Sequence, residues 1–153
     1  YDGDGSFGAK ASAGPPGSGE IEQVFAAFFD ARRLPHDPTA FDGRSDYGPF
    51  IAAGIPAGGL FTGAEAQMSE AMAARYGGQA GQRFDPCYHQ ACDTLDNIHW
   101  EVLDQMADAL AHATLSLAMD DWLPVVSGRI GRLGLQDPRP AFRGLALPWL
   151  GRQ

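Results

Sequence analysis

The chain has 153 residues, of which 44% are apolar and 20% charged, the balance of an ordinary globular domain with one modest core. Its formal charge of −8, from 19 acidic against 11 basic residues, leaves no cationic patch for a phosphate backbone and argues against nucleic acid as a partner. No apolar run approaches the roughly 20 residues of a membrane span, and the opening YDGDGSFGAK has neither the basic nor the apolar segment of a signal peptide.

Residues 1–19 are mostly Gly, Ser, Ala and Pro, which is loop chemistry. The chain does not begin with Met, and this lead-in reads as the middle of something longer. Ser18 is placed to cap a helix whose first turn holds Glu20 and Glu22. Ile21, Val24, Phe25, Phe28 and Phe29 recur at the spacing of one helical face, and the helix should end near Arg33, before Pro35. Residues 39–41 read as a short strand and Asp42-Gly43 as a turn. Ser45 or Asp46 would cap a short helix reaching Ala53. Residues 55–62 read as a buried strand, whose Gly58-Gly59 marks a close approach of backbone or ligand. AEAQMSEAMAARYGG is a helical or turn-rich excursion closed by Gly77-Gly78. Asp96 or Asn97 would then cap a long helix with Leu103, Met106, Leu110, Ala113 and Leu117 on one face. Residues 120–153 carry five Arg among Pro and Gly too dense for a long element, and read as an irregular tail. Strand–helix alternation upstream of this tail predicts an α/β architecture.

The segment FDPCYHQACDT crowds both cysteines and a histidine together. Cys87, His89 and Cys92, with Asp93 as a fourth donor, spell a small zinc knuckle, yet such sites usually combine two ligand pairs and no second pair exists. A staple between the two cysteines would close a short ring worth roughly 2 kcal/mol of loop entropy, but leaves the histidine unexplained. A metal-ligating His89 supported by such a staple is the third option, and the residues alone leave all three open.

FDGRSDYGPF, IPAGGLFTGAE, RYGG, FDPCYHQACDT and LDQMADALAHA follow one another at a spacing that resembles the M28 family of zinc aminopeptidases, most of all its secreted Streptomyces-type members. The resemblance covers about residues 20–118. It implies that residues 20–119 are the C-terminal part of a catalytic domain, a mixed β-sheet sandwiched by helices. It also implies a secreted enzyme that uses two zinc ions to remove N-terminal residues, chiefly large apolar ones, from peptides. By the same resemblance His89 is a zinc ligand, and a Cys87–Cys92 disulfide orients it. Tyr88 stabilises the developing oxyanion, Gly43 and Arg44 line the substrate site, and Phe61 forms an apolar wall of the pocket for the substrate's first side chain. From the residues alone, Phe61 reads more simply as core, and Arg44 as paired with Asp42 or Asp46.

Asp104 and Asp108 match positions that hold calcium in some members, although as a pair they also read as a solvated helix face. The family's remaining ligands, an upstream His, a bridging Asp, a Glu-Glu pair and a further Asp, find no match. No Glu-Glu occurs, LPHDPT lacks the H-x-D context, and Asp2 and Asp4 fall beyond the last Asp ligand. The chain is therefore expected to be inactive without an N-terminal half of the domain as partner. The alternative is a non-enzymatic, disulfide-stapled binding or accessory domain of the same fold.

Overall fold

Helix α1 (Ser18–Arg32) forms where the apolar stripe predicts it, in a computed structural model that describes residues 1–8 and 12–119. The expectations for residues 120–153 lie outside the described residues. Phe25, Phe28 and Phe29 of α1 meet Ala109 and Ala113 of helix α4 (Trp100–Met119), and these five form the buried core. Ile21, Val24, Leu34, Leu60 and Met106 pack around them. The two alanines give α4 a flat stripe against which three aromatic rings can lie. Phe28 and Phe29 meet edge to face with centroids 5.4 Å apart, and the Arg32 guanidinium covers the Phe28 ring at 3.7 Å.

The start of α1 differs from expectation. Gly17, not Ser18, occupies the cap, because its φ of 107° suits only glycine. Ser18 is the first helical residue, fully buried, and its Oγ accepts the Ala57 N–H at 3.1 Å. The helix ends at Arg33 in the left-handed region (φ 57°), and Leu34 N–H returns to Phe29 O at 2.9 Å.

Residues 39–41 and 55–62, read as strands, are irregular and join no ladder among the described residues. The one bridge among the described residues pairs Gln67 with Arg83. A strand needs a neighbour to satisfy its backbone groups. Among the described residues, the chain's first two residues bond to the backbone of these segments. Asp2 N–H donates to Thr39 O at 2.8 Å, and the Tyr1 ammonium to Gly59 O at 2.9 Å. Two residues are too few to build a ladder. The close approach at Gly58 is to α1: a Cβ there would collide with Ile21 Cγ2.

The described residues ahead of α1 are loop, but pinned loop. The Asp2 carboxylate, fully buried, accepts Ser6 N–H at 2.9 Å and Phe7 N–H at 3.1 Å. Glu22 Oε2 accepts Gly3 N–H at 2.8 Å. The Tyr1 ring stacks on Phe41 at 5.3 Å and meets Tyr47 edge-on at 4.8 Å.

Helix α2 (Tyr47–Ala52) follows Asp46, whose side chain makes no cap bond. The Tyr47 hydroxyl organises the turn instead, accepting the N–H of Asp42 and Gly43 and donating to Asp42 Oδ1, each at 2.8 Å. Helix α3 (Glu70–Tyr76) is capped by Ser69 Oγ, which accepts Met72 N–H, and stops at Gly77 (φ 79°). Tyr76 donates to Asp37 at 2.5 Å and Arg75 to His36 O at 2.7 Å, which fastens α3 to the loop after α1.

Asp96 and Asn97, expected to cap α4, lie in a single 3-10 turn (Leu95–Asn97). His99 precedes α4, and its Nδ1 accepts Val102 N–H at 3.4 Å. The expected face of α4 is split. Met106 and Ala113 pack on α1, whereas Leu103 and Leu110 are 48% and 57% exposed, because the buried stripe centres on Ala109. No described helix is long and apolar enough to cross a membrane.

Candidate functional site

Segment 84–94 is anchored at its entry by backbone bonds to the 64–66 turn. Asp85 N–H donates to Ala64 O at 2.8 Å and Phe84 N–H to Ala66 O at 3.0 Å. Asp85 then turns the chain by accepting Cys87 N–H at 2.9 Å on Oδ1. The same Oδ1 takes Asn97 Nδ2 at 3.0 Å, and that amide also reaches Asp93 Oδ1 at 3.4 Å, so Asn97 draws the two ends of the loop together. Cys87 and Cys92 are disulfide-bonded across a Cα separation of 5.3 Å. Sulfurs joined in this way cannot act as thiolate ligands, which removes the zinc knuckle. Thiol titration of the denatured, unreduced protein should find none, and two after reduction; two before reduction, in material prepared under oxidising conditions, would contradict this pairing.

The staple forces a tight turn. Its apex, His89, has φ 56° and an exposed side chain, and its ring lies 4.1 Å from that of half-buried Tyr88. On a second loop, Gly43 (φ 80°) turns the chain into Arg44, whose N–H donates to Asp42 Oδ1 at 3.0 Å. The Arg44 guanidinium pairs with Glu65 Oε1 at 2.6 Å, not with Asp42 or Asp46 as the residues alone suggested. That bond raises Arg44 above its ordinary value and holds Glu65 below the usual carboxylate range. Tyr88 lies close enough to contribute to the Arg44 shift, well behind Glu65, which places the two in one electrostatic neighbourhood. Asp42 is likewise lowered, first by the Arg44 N–H and then by the Tyr47 hydroxyl.

Phe61 is 44% exposed rather than core. With Leu60, Thr62 and Met106 it lines an open cavity of about 250 Å³, and its ring lies 6.1 Å from that of Tyr1. Gly43 borders a second cavity, of about 300 Å³, with Phe41 and Tyr47.

A protein zinc site takes three or four ligands. At the stapled loop His89 brings a single imidazole and belongs to no convergent ligand group among the described residues. The group of three ligating side chains that does converge among the described residues is Asp2, Asp4 and Glu22. Each of these carboxylates already accepts backbone N–H groups, from residues 3, 4, 6 and 7. Asp104 and Asp108 are exposed on α4, outside that group. Sequence reasoning missed Glu65, Asp85 and Asn97. Glu65 stands inside the quoted IPAGGLFTGAE, but its partner Arg44 is far away in the chain, and no local pattern announces such a pair.

The sequence model of peptidase family M28 matches residues 3–114. Over 120 residues, 78% of the chain, the sequence is 52% identical to a probable leucine aminopeptidase 2 of Aspergillus oryzae. It is 49% identical over 118 residues to a leucine aminopeptidase 2 of Arthroderma otae, and 48% identical over 120 residues to an aminopeptidase of Pseudomonas aeruginosa. These alignments cover 77% and 78% of the chain. They take up 24%, 23% and 22% of the three relatives, so the chain spans about a quarter of their length. The family match begins at residue 3 and so includes most of the lead-in.

Proposed function

The chain belongs to peptidase family M28, and from that premise we propose that it is the C-terminal part of the catalytic domain of a zinc-dependent aminopeptidase acting on peptides with a free N-terminus. The observation that carries this reading is the stapled loop, which holds an exposed His89 at a left-handed apex directly beside Tyr88. His89 would supply one ligand, and a preceding segment of the domain the others. Zinc, when bound, polarises the scissile carbonyl and lowers the pKa of a water. The chain's own residues supply the rest. The Tyr88 hydroxyl donates to the oxygen on which charge develops. Arg44 binds the carbonyl beyond the scissile bond. Phe61, with its cavity, receives a large apolar first side chain.

The same preceding segment would give residues 39–41 and 55–62 the neighbours they need to become strands of a helix-flanked sheet. Calcium is not part of the proposal, because Asp104 and Asp108 offer two carboxylates where that ion takes six to eight oxygens. The disulfide supports a location outside the cell.

The test is a gain of function. Leucine p-nitroanilide should stay uncleaved by the 153-residue chain, with or without excess zinc. It should be cleaved, in a zinc-dependent way, when the chain replaces the aligned part of the Pseudomonas aeruginosa aminopeptidase. A joined protein that folds, loads zinc and stays inactive would defeat the proposal; that is the outcome the accessory-domain alternative expects.

A further inference from the structure

We propose that Glu65 is a positioning residue for Arg44. It fixes the guanidinium beside the Tyr88–His89 loop, so that the N–H donors left over from the pair face the substrate carbonyl beyond the scissile bond. The substrate half of this inference rests on the aminopeptidase reading above.

Three observations converge on Glu65. First, Arg44 is not held by its own loop. The Asp42 carboxylate is taken up by the Arg44 backbone N–H at 3.0 Å and the Tyr47 hydroxyl at 2.8 Å, and the side-chain contact of the guanidinium is with Glu65 Oε1 at 2.6 Å. Second, Glu65 is built on the histidine loop's own anchor. It follows Ala64, a buried residue at φ 45°, whose carbonyl accepts Asp85 N–H, while Ala66 accepts Phe84 N–H. The pair therefore couples the Arg44 loop to the segment that presents Tyr88 and His89. Third, Glu65 is partly shielded, its side chain 36% exposed. Its Oε2 is buried without a hydrogen-bond partner, while Oε1 is bonded to Arg44. Oε1 therefore anchors the carboxylate to Arg44, while Oε2 faces protein rather than water.

A guanidinium has five N–H donors, and the Arg44 side chain is 53% exposed, so one contact to Glu65 leaves most donors available. Unrestrained, so long a side chain would lose much rotamer freedom on binding substrate; held in advance, it loses less. The expected signature is weaker binding, with the chemical step spared, and only for substrates that possess the carbonyl.

Two measurements test this. In the full 153-residue chain labelled with ¹⁵N, the Arg44 Nε–H should show the restricted motion of the backbone, and Glu65→Gln should release it to the mobility of a free arginine. The substitution keeps the size of the side chain, and an unchanged disulfide and circular dichroism spectrum confirm the fold. Equal Arg44 mobility in both proteins would overturn the proposal. In the joined enzyme, Glu65→Gln should raise KM about two- to fivefold for a leucyl peptide, the range of a partly exposed ion pair, with kcat changed less than about twofold. KM for leucine p-nitroanilide, which has no carbonyl beyond the scissile bond, should be unchanged. Equal effects on both substrates would show a merely structural role and also overturn the proposal. A joined enzyme inactive even with Glu65 defeats the aminopeptidase reading and the substrate half of this inference with it, whereas the mobility measurement decides the fixation of Arg44 separately.

Discussion

Replacing Tyr88 by Phe should lower kcat of the joined enzyme on leucine p-nitroanilide by about 10²–10³, the usual cost of removing one donor to a developing oxyanion. The substitution deletes one hydroxyl and leaves the ring. The ring's packing against His89, at 4.1 Å between centroids, survives, as do the Cys87–Cys92 staple and the Asn97 bonds to Asp85 and Asp93. Zinc content should therefore be unchanged, and KM should move far less than kcat, because the lost bond forms only as charge develops. A fall in kcat of less than about fivefold, with zinc fully loaded, would remove Tyr88 from the chemistry and return it to the role of a loop aromatic.

Phe28→Ala should cost about 3–5 kcal/mol of folding stability, the range for deleting a buried aromatic side chain. Phe28 is 2% exposed and lies at the centre of the α1–α4 contact. Its ring carries Phe29 on one edge, Arg32 on one face and His112 with its centroid 5.3 Å away. The facing residues are Ala109 and Ala113, whose side chains have nothing to extend into the space left behind. Urea unfolding followed by circular dichroism should show the midpoint fall by roughly 1–5 M, given slopes of about 1–3 kcal/mol/M for small proteins. Leu110→Ala, at a position 57% exposed, should stay within about 0.5 kcal/mol of the parent. A loss below about 1 kcal/mol at Phe28 would mean that the two helices pack less tightly than described.

Helix α1 was legible because its information is local: five apolar side chains at the right spacing, all of which found cover. Helix α4 was half legible. Its sequence offers two apolar stripes, and periodicity cannot say which one a neighbour will cover; α1 covers the Ala109 stripe and leaves Leu103 and Leu110 open. The strands were read from composition, yet a strand exists only by its partner, and segments 39–41 and 55–62 lack a ladder among the described residues. Gly17 took the cap expected of Ser18 because the backbone there turns left-handed, which side-chain chemistry at Ser18 does not reveal.

At the candidate site, the Cys87–Cys92 pairing was readable because motif and loop coincide in one short stretch of chain. The supports were not. Asp85 to Asn97 and Glu65 to Arg44 are bonds between side chains on separate turns, chosen by the fold rather than by spacing.

The left-handed backbone at His89 restricts which mutations that position can accept before any chemistry is considered. At φ 56° the residues that sit comfortably are glycine, asparagine, aspartate and histidine itself, whereas a valine, isoleucine or threonine would be strained whatever it offered a ligand. Of the permitted four, two carry a strong metal donor. If His89 holds zinc as proposed, a descendant that abandoned catalysis would drift first to Gly or Asn at position 89 while keeping the cysteines. Such a substitution, in an otherwise intact loop, is the trace by which an inactive copy of this domain would be told from a working one.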